Sequence, residues 1–197
     1  MRRRTAVLIA VLAAAVVAVA AVSLRAGDRQ TGGPPVTATS TSSLLALTWG
    51  PSLCAVTPGN SGCRSGHVGR RGPVFVLHGL WPQPSSEQYC DVPQKARGPR
   101  SPVPLPDDLR SQLQTRMSDA SVMAPHEWYA HGTCSGVTPP EYFRIAADLA
   151  DQAGTVLDPL FAAARGRDIS SRTVREAVAT RLGPDAGRRV ALTCRDS

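Results

Sequence analysis

His126-Glu127-Trp128-Tyr129-Ala130-His131-Gly132-Thr133-Cys134 places two imidazoles and a carboxylate within six positions. The surrounding residues suit a helix, which Gly132 stands ready to end. At about 100° per residue, His126, Glu127, Ala130 and His131 share an arc roughly 140° wide and are expected to look into one cleft. The chain has four histidines, and a third, His78, opens another unusual stretch, His78-Gly79-Leu80-Trp81-Pro82. Imidazole changes charge near neutral pH, so two of them on opposite walls of a cleft can act as base and acid in one in-line displacement. Trp81, three residues from His78, offers a flat surface on which a nucleobase can stack. Taken alone, a tryptophan is more often a core residue. Its adjacency to His78 and Pro82 reverses that expectation.

Metal coordination is the competing chemistry. Zincin-type helices carry His at i and i+4, so that both rings meet one ion, with a Glu beside the first as base. His126 and His131 stand at i and i+5, about 140° apart on a helix instead of about 40°. No second cluster of ligands offers a third arm. Proton transfer and anion binding fit this spacing better, and neither a metal nor a cofactor is expected.

These side chains need a strand and a helix to hold them. Val74-Phe75-Val76-Leu77-His78 is β-branched and aromatic, follows Pro73 and stops at Gly79, which puts His78 where a strand runs out into a loop. Pro125 is expected to start the helix carrying His126 and Glu127. Leu44 to Trp49 has the length of a buried strand, ended by Gly50-Pro51. Arg64 to Gly72 and residues 83–106 read as loops, the second a long surface loop pinned at Cys90. A helix is expected from Pro106 to about Met117, and another from Pro139 with Tyr142, Ile145, Ala146 and Leu149 on its apolar face. Val156 to Ala164 reads as a shorter helix, and the capping-box pattern Thr173-Val174-Arg175-Glu176 leads one that stops at Gly183-Pro184. Arg189-Val190-Ala191-Leu192-Thr193 reads as a last strand. No internal repeat is visible, and strands and helices do not alternate regularly, so the expected fold class is α+β.

The chain has 197 residues, enough for one domain with a sizeable core once its N-terminus is set aside. Residues 1–24 open with Met1-Arg2-Arg3-Arg4 and continue as an apolar run from Thr5 to Leu24, the order of an export signal, with Ala18-Val19-Ala20 as a cleavage site. The run is also just long enough for an uncleaved membrane anchor with its arginines inside. The protein is therefore expected to be secreted, or anchored on the outer face of the cytoplasmic membrane, and to be a monomer. Residues 25–43, rich in Gly, Pro, Thr and Ser, read as a flexible linker, which leaves 44–197 as the folded domain. Without the N-terminal segment, basic residues fall from 22 to 19 against 15 acidic ones, a net charge of +4 instead of +7. That balance favours an anionic substrate without specifying one. Five cysteines in an exported chain imply two disulfides and one odd thiol, a count that 15 arrangements satisfy. Proximity favours Cys54 with Cys63. Cys90 and Cys134 are then expected to join the segment after His78 to the one holding His131, with Cys194 left over.

The two motif stretches are similar, in order, to the signature segments H-G-L-W-P and H-E-W-x-K-H-G-T-C of the ribonuclease T2 family. Leu45 to Cys54 also resembles the first core strand and turn of its bacterial members. The resemblance covers Leu44 to Leu149 closely and the remainder loosely. It implies an antiparallel sheet flanked by helices, and cleavage of single-stranded RNA without metal, the 2′-hydroxyl attacking the adjacent phosphorus to leave a 2′,3′-cyclic phosphate and a free 5′-hydroxyl. By position it makes His131 and His78 the base and acid pair, His126 a phosphate ligand, and Glu127 a polar partner of the reacting phosphoryl group. Trp81 and Tyr89 would form the base site. Gln83 stands where some relatives carry an acid, so no base preference is implied. Ala130 stands where the motif has Lys, which removes a cation expected to stabilise charge on the pentacoordinate phosphorus. Cys194 resembles a late family cysteine whose partner lies in a C-terminal tail, and only three residues follow it here. The alternative is an exported RNA-binding or toxin-like module that kept the fold and lost activity through the change to Ala130.

Overall fold

The computed structural model describes residues 40, 42–94 and 101–194. The export segment and nearly all of the linker expected over residues 1–43 lie outside them. Strand β1 (Ser42–Trp49) pairs antiparallel with β2 (Phe75–Gln83), and three short helices, α1 (Gly50–Val56), α2 (Ser61–Arg64) and α3 (His67–Arg70), connect the two. After a long connection come α4 (Asp107–Arg116), α5 (Ala120–Ala130), a 3-10 turn (Gly132–Cys134), α6 (Pro139–Ala163), α7 (Ser171–Leu182) and α8 (Pro184–Arg188). The class is α+β, as expected: an antiparallel sheet, two-stranded among the described residues, with helices packed against it.

The strand pairing contains one irregularity. It runs from Trp49↔Phe75 to Leu47↔Leu77 and resumes at Ala46↔Gly79, so His78 is the extra residue of a β-bulge. β2 does not stop at Gly79, as its sequence suggests, because β1 supplies partners as far as Ser42↔Gln83. His78 is thus held inside a strand and not at its frayed end. The other edge of β2 is covered at Phe75, Leu77 and Leu80. Asp158 of α6 accepts from the Phe75 N–H at 2.7 Å, Leu77 bridges to Met117, and the Tyr142 hydroxyl engages both peptide groups of Leu80. An edge covered in this way offers no template to a further strand. Residues 189–193 accordingly form no strand, and Leu192 is left exposed.

The core lies between β2 and helices α4 to α6, with Leu77, Leu80, Leu109, Leu113, Met117, Tyr142 and Phe143 at its centre. Burial of an apolar side chain of this size stabilises by ~1.5–3 kcal/mol. Helix α6 presents Phe143, Ala146, Ala147 and Ala150, an i, i+3, i+4, i+7 stripe. Ile145 and Leu149, expected on that face, are 42% and 39% exposed. The alanines let the helix lie close to its neighbours, and that closeness outweighs the larger side chains beside them. One helix of 25 residues also replaces the two expected, running through Gly154 and Pro159. Its far half is held in place because the Phe161 ring packs 4.8 Å from Phe75 and 5.4 Å from Trp49.

Other departures have local causes. Pro125 lies inside α5, whose start is set earlier by the Asp119 carboxylate accepting from the Ser121 N–H at 3.1 Å. Ser170, not Thr173, caps α7 by accepting the Thr173 N–H at 3.0 Å. Residues 64–72 contain helix α3 instead of an open loop, and α2 before it is capped by the Asn60 side chain. Within 83–106, Val92, Val103 and Leu105 are buried, so that connection is anchored in the core and does not simply cross the surface. Strand β1 is half-buried, with Leu44 exposed. Cys54–Cys63 and Cys90–Cys134 are both bonded, and Cys194 is free and exposed.

Candidate active site

His78 and Trp81 are three residues apart, so on a regular strand they would point to opposite faces. The bulge cancels that alternation. Their rings meet edge to face at 5.2 Å, and both reach Glu127 on α5. The Trp81 indole N–H donates to Glu127 Oε2 at 3.1 Å, while His78 Nε2 lies 3.6 Å from Oε1. Leu77 and Leu80, also three apart, both enter the core for the same reason.

Gly79 stands where strand and helix come closest, and a Cβ there would overlap the Glu127 carboxylate. β2 and α5 can close on each other only because this residue has no side chain. Glu127 is 0% exposed. A buried carboxylate is costly unless it is paired and hydrogen-bonded. Its partners are Trp81, His78 and also His126, whose Nε2 lies 3.8 Å from Oε1.

Helix α5 ends at Ala130, and His131 leaves the helical path at φ −127°, ψ −48°. It is therefore not carried 140° round from His126. The two rings lie 6.0 Å apart, and the ligand atoms of His126, Glu127 and His131 all fall within 4.8 Å of one another. The Trp81 indole lies 5.6 Å from the His131 ring, tilted by 32°. Two separately supported elements thus gather His78, Trp81, His126, Glu127 and His131 around one carboxylate. Such a cluster can exchange protons with a substrate, and the trio of ligand atoms is also close enough to collect a cation.

Tyr89 reaches this region through its main chain. In the left-handed region at φ 56°, it donates its N–H to the Ala130 carbonyl at 2.9 Å, next to the Cys90–Cys134 bond. Ala130 itself is 1% exposed. Position 130 therefore faces protein, not an open cleft as its helical angle suggests, because the Tyr89 loop is tied onto this end of α5.

Tyr142 is the residue that reading the sequence misses. Its hydroxyl donates to the Leu80 carbonyl at 2.8 Å and accepts from the Leu80 N–H at 3.1 Å, and its ring packs edge-on to Trp128 at 5.8 Å. Burial, together with the nearby Glu127 charge, pushes its acidity far below that of an ordinary phenol, so the hydroxyl stays protonated. The odd spacing of His78 and Trp81 was the available signal that something must hold an irregular strand. A cavity of about 730 Å³, lined among others by Arg71, Leu77, Arg116, Asp151 and Asp158, lies elsewhere and shares no side chain with the cluster.

The sequence profile of the Ribonuclease T2 family matches residues 41–197. The chain is 31% identical over 105 residues to a ribonuclease of Aeromonas hydrophila, an overlap of 53% of this chain and 42% of that protein. It is 30% identical over 157 residues to ribonuclease MC of Momordica charantia, covering 75% of each. It therefore spans less than half the length of the Aeromonas relative. A crystal structure of RNase NT in complex with 5′-AMP is similar at 24% identity over 56% of this chain and 59% of that one, with a TM-score of 0.40. The profile match extends over the whole folded region and includes both histidine motifs, so this chain belongs to the Ribonuclease T2 family.

Proposed function

We propose that the protein is an exported endoribonuclease that cleaves single-stranded RNA by transphosphorylation. One imidazole of the His78 and His131 pair takes the proton of a 2′-hydroxyl, whose oxygen then attacks the adjacent phosphorus. The other gives a proton to the departing 5′-oxygen, leaving a 2′,3′-cyclic phosphate and a 5′-hydroxyl. His126 binds the phosphate, and Glu127 offers a negative charge to an imidazolium beside it. Trp81 and Tyr89 receive the base. The observation that carries this reading is the gathering of three imidazoles and an indole around a single buried carboxylate. The enzyme acts as a monomer outside the cytoplasmic membrane, released or held there by its N-terminal segment. Lacking the motif lysine at Ala130, it is a slow ribonuclease.

A metal-dependent reaction is the second reading, favoured by the 4.8 Å spacing of the ligand atoms of His126, Glu127 and His131. Against it, Glu127 already uses Oε2 on Trp81 and faces two imidazoles with Oε1. Digestion of homopolymeric RNA in excess chelator, with analysis of the product ends, decides between them. Cyclic phosphate formed at an undiminished rate is expected. Activity lost to the chelator and restored by zinc or magnesium would overturn metal independence, and RNA binding without cleavage would leave an inactive binding module.

A further inference from the structure

The bulge at His78 needs an explanation, because β1 alone would favour a regular register. A regular strand would satisfy every paired peptide group and would send His78 and Trp81 to opposite faces. What opposes it sits on the edge of β2 away from β1. Leu80 lies between Gly79, pressed against Glu127, and Trp81, bonded to Glu127. Both of its outward peptide groups are taken by one atom, the hydroxyl of Tyr142. A hydroxyl that donates to a residue's carbonyl and accepts from the same residue's N–H fixes that residue's position along the strand and its rotation about it.

Resting on the ribonuclease reading, we propose that Tyr142 is a positioning residue of the active site: its hydroxyl, clamped on both peptide groups of Leu80, holds β2 in the bulged register that turns His78 and Trp81 together onto Glu127. The side chain is well placed to do this. Tyr142 is 2% exposed, and its ring is wedged edge-on between Trp128 at 5.8 Å and Phe143 at 5.0 Å. Trp128 belongs to the helix that bears His126 and Glu127. One residue of α6 therefore touches both walls of the site, the strand through its hydroxyl and the helix through its ring. Without the hydroxyl, the two Leu80 groups are left buried and unsatisfied, and the strand relaxes toward a register that serves them at the expense of Trp81 and His78.

The test is Tyr142→Phe, which keeps the ring packing and removes only the clamp. The first readout does not need activity: the Trp81 indole N–H resonance, identified by its loss in Trp81→Phe, is expected to move in Tyr142→Phe as its bond to Glu127 weakens. The second is turnover of a dinucleotide RNA substrate, expressed per folded molecule. A fall in kcat of about 10- to 100-fold is expected, with KM changed far less. On a His78→Ala background the same substitution is expected to cost less than it does in the wild type, since part of its effect passes through His78 and the rest through Trp81. A residue that merely stabilises the fold would lower the melting temperature while leaving the indole resonance and the kcat of folded molecules in place, and that result overturns the proposal. If Tyr142→Phe does not fold, 3,5-difluorotyrosine at position 142 keeps the ring and its hydroxyl, puts fluorine in place of the two hydrogens beside that hydroxyl, and makes it a stronger donor and a weaker acceptor toward Leu80. An unmoved indole resonance in that variant counts against the clamp, and a moved one supports it. A wild-type protein that leaves RNA intact defeats the ribonuclease reading, and the indole readout still decides the positioning role.

Discussion

Glu127 dictates the residues around it. A fully buried carboxylate is costly unless it is hydrogen-bonded and faces positive charge, and Glu127 accepts from Trp81 with one oxygen, has His78 and His126 within ion-pair distance of the other, and excludes any side chain at position 79. If the proposed mechanism holds, it needs one imidazole neutral and another protonated, and the rate against pH is expected to be bell-shaped, its limbs belonging to the coupled group and not to a single histidine. His78→Ala and His131→Ala are each expected to abolish most turnover, and a variant that retains the wild-type rate removes that histidine from the mechanism. Ala130 calls for a different experiment. Because it is 1% exposed, a lysine there must thread its stem past the Tyr89 loop to bring its ammonium to the phosphate. Ala130→Lys is therefore expected to cost ~1–3 kcal/mol of stability through overpacking. It should nevertheless raise kcat at least about tenfold, by analogy with restoring one transition-state donor worth ~3–4 kcal/mol. An already fast parent enzyme whose kcat the lysine does not change would show that another cation fills the role.

Two devices hold the elements in working relation: the bulge, which corrects the facing of β2, and the Cys90–Cys134 bond, which ties the connection after β2 to the end of α5. Replacing both cysteines by alanine is expected to lower stability by ~2–5 kcal/mol and to reduce kcat as well, since Tyr89 and His131 flank the joined segments. Equal kcat per folded molecule in the double variant would confine the bond to stability. The sequence shows such devices unevenly. Helix α4 and the stop of α7 at Gly183 are legible because Pro106, the acidic first turn and the glycine are local punctuation. The gathering of His78, Trp81, His126, Glu127 and His131 is legible because their types are rare and closely spaced. The bulge, the unbroken α6 and the failure of residues 189–193 to form a strand are not, since each is decided by side chains far away in sequence: Tyr142 and Asp158 on the edge of β2, and Phe161 on Trp49 and Phe75. Local pattern carries no trace of partners that distant.

Across the whole molecule, α6 runs along β2 and grips it near both ends, through Tyr142 at Leu80 and Asp158 at Phe75. The second grip lies on the large cavity and is electrostatically unlike the first. Burial pushes the Asp158 carboxyl above the usual carboxylate range, a push that the Phe75 N–H and the Arg71 and Arg116 guanidiniums only partly offset. The same burial, with Arg116 beside it, depresses the Arg71 guanidinium. Because the native carboxyl holds its proton to higher pH than the unfolded one, the folded state binds more protons between the two values, and this group's contribution to stability declines as pH rises through that window. Below the ordinary Asp value both states are protonated and the penalty is absent; above the raised native value it is complete. Asp158→Asn keeps an oxygen to accept the Phe75 N–H and removes the ionisation. Relative to wild type, the melting temperature of Asp158→Asn is therefore expected to be higher at pH 7 than at pH 3, the difference shrinking as the wild-type carboxyl takes up its proton. Thermal unfolding of the two proteins across that range measures it. A difference that stays constant with pH would mean that the guanidiniums and burial cancel, and one that grows on acidification would mean that the guanidiniums outweigh burial and that the carboxylate is a net stabilising charge at neutral pH.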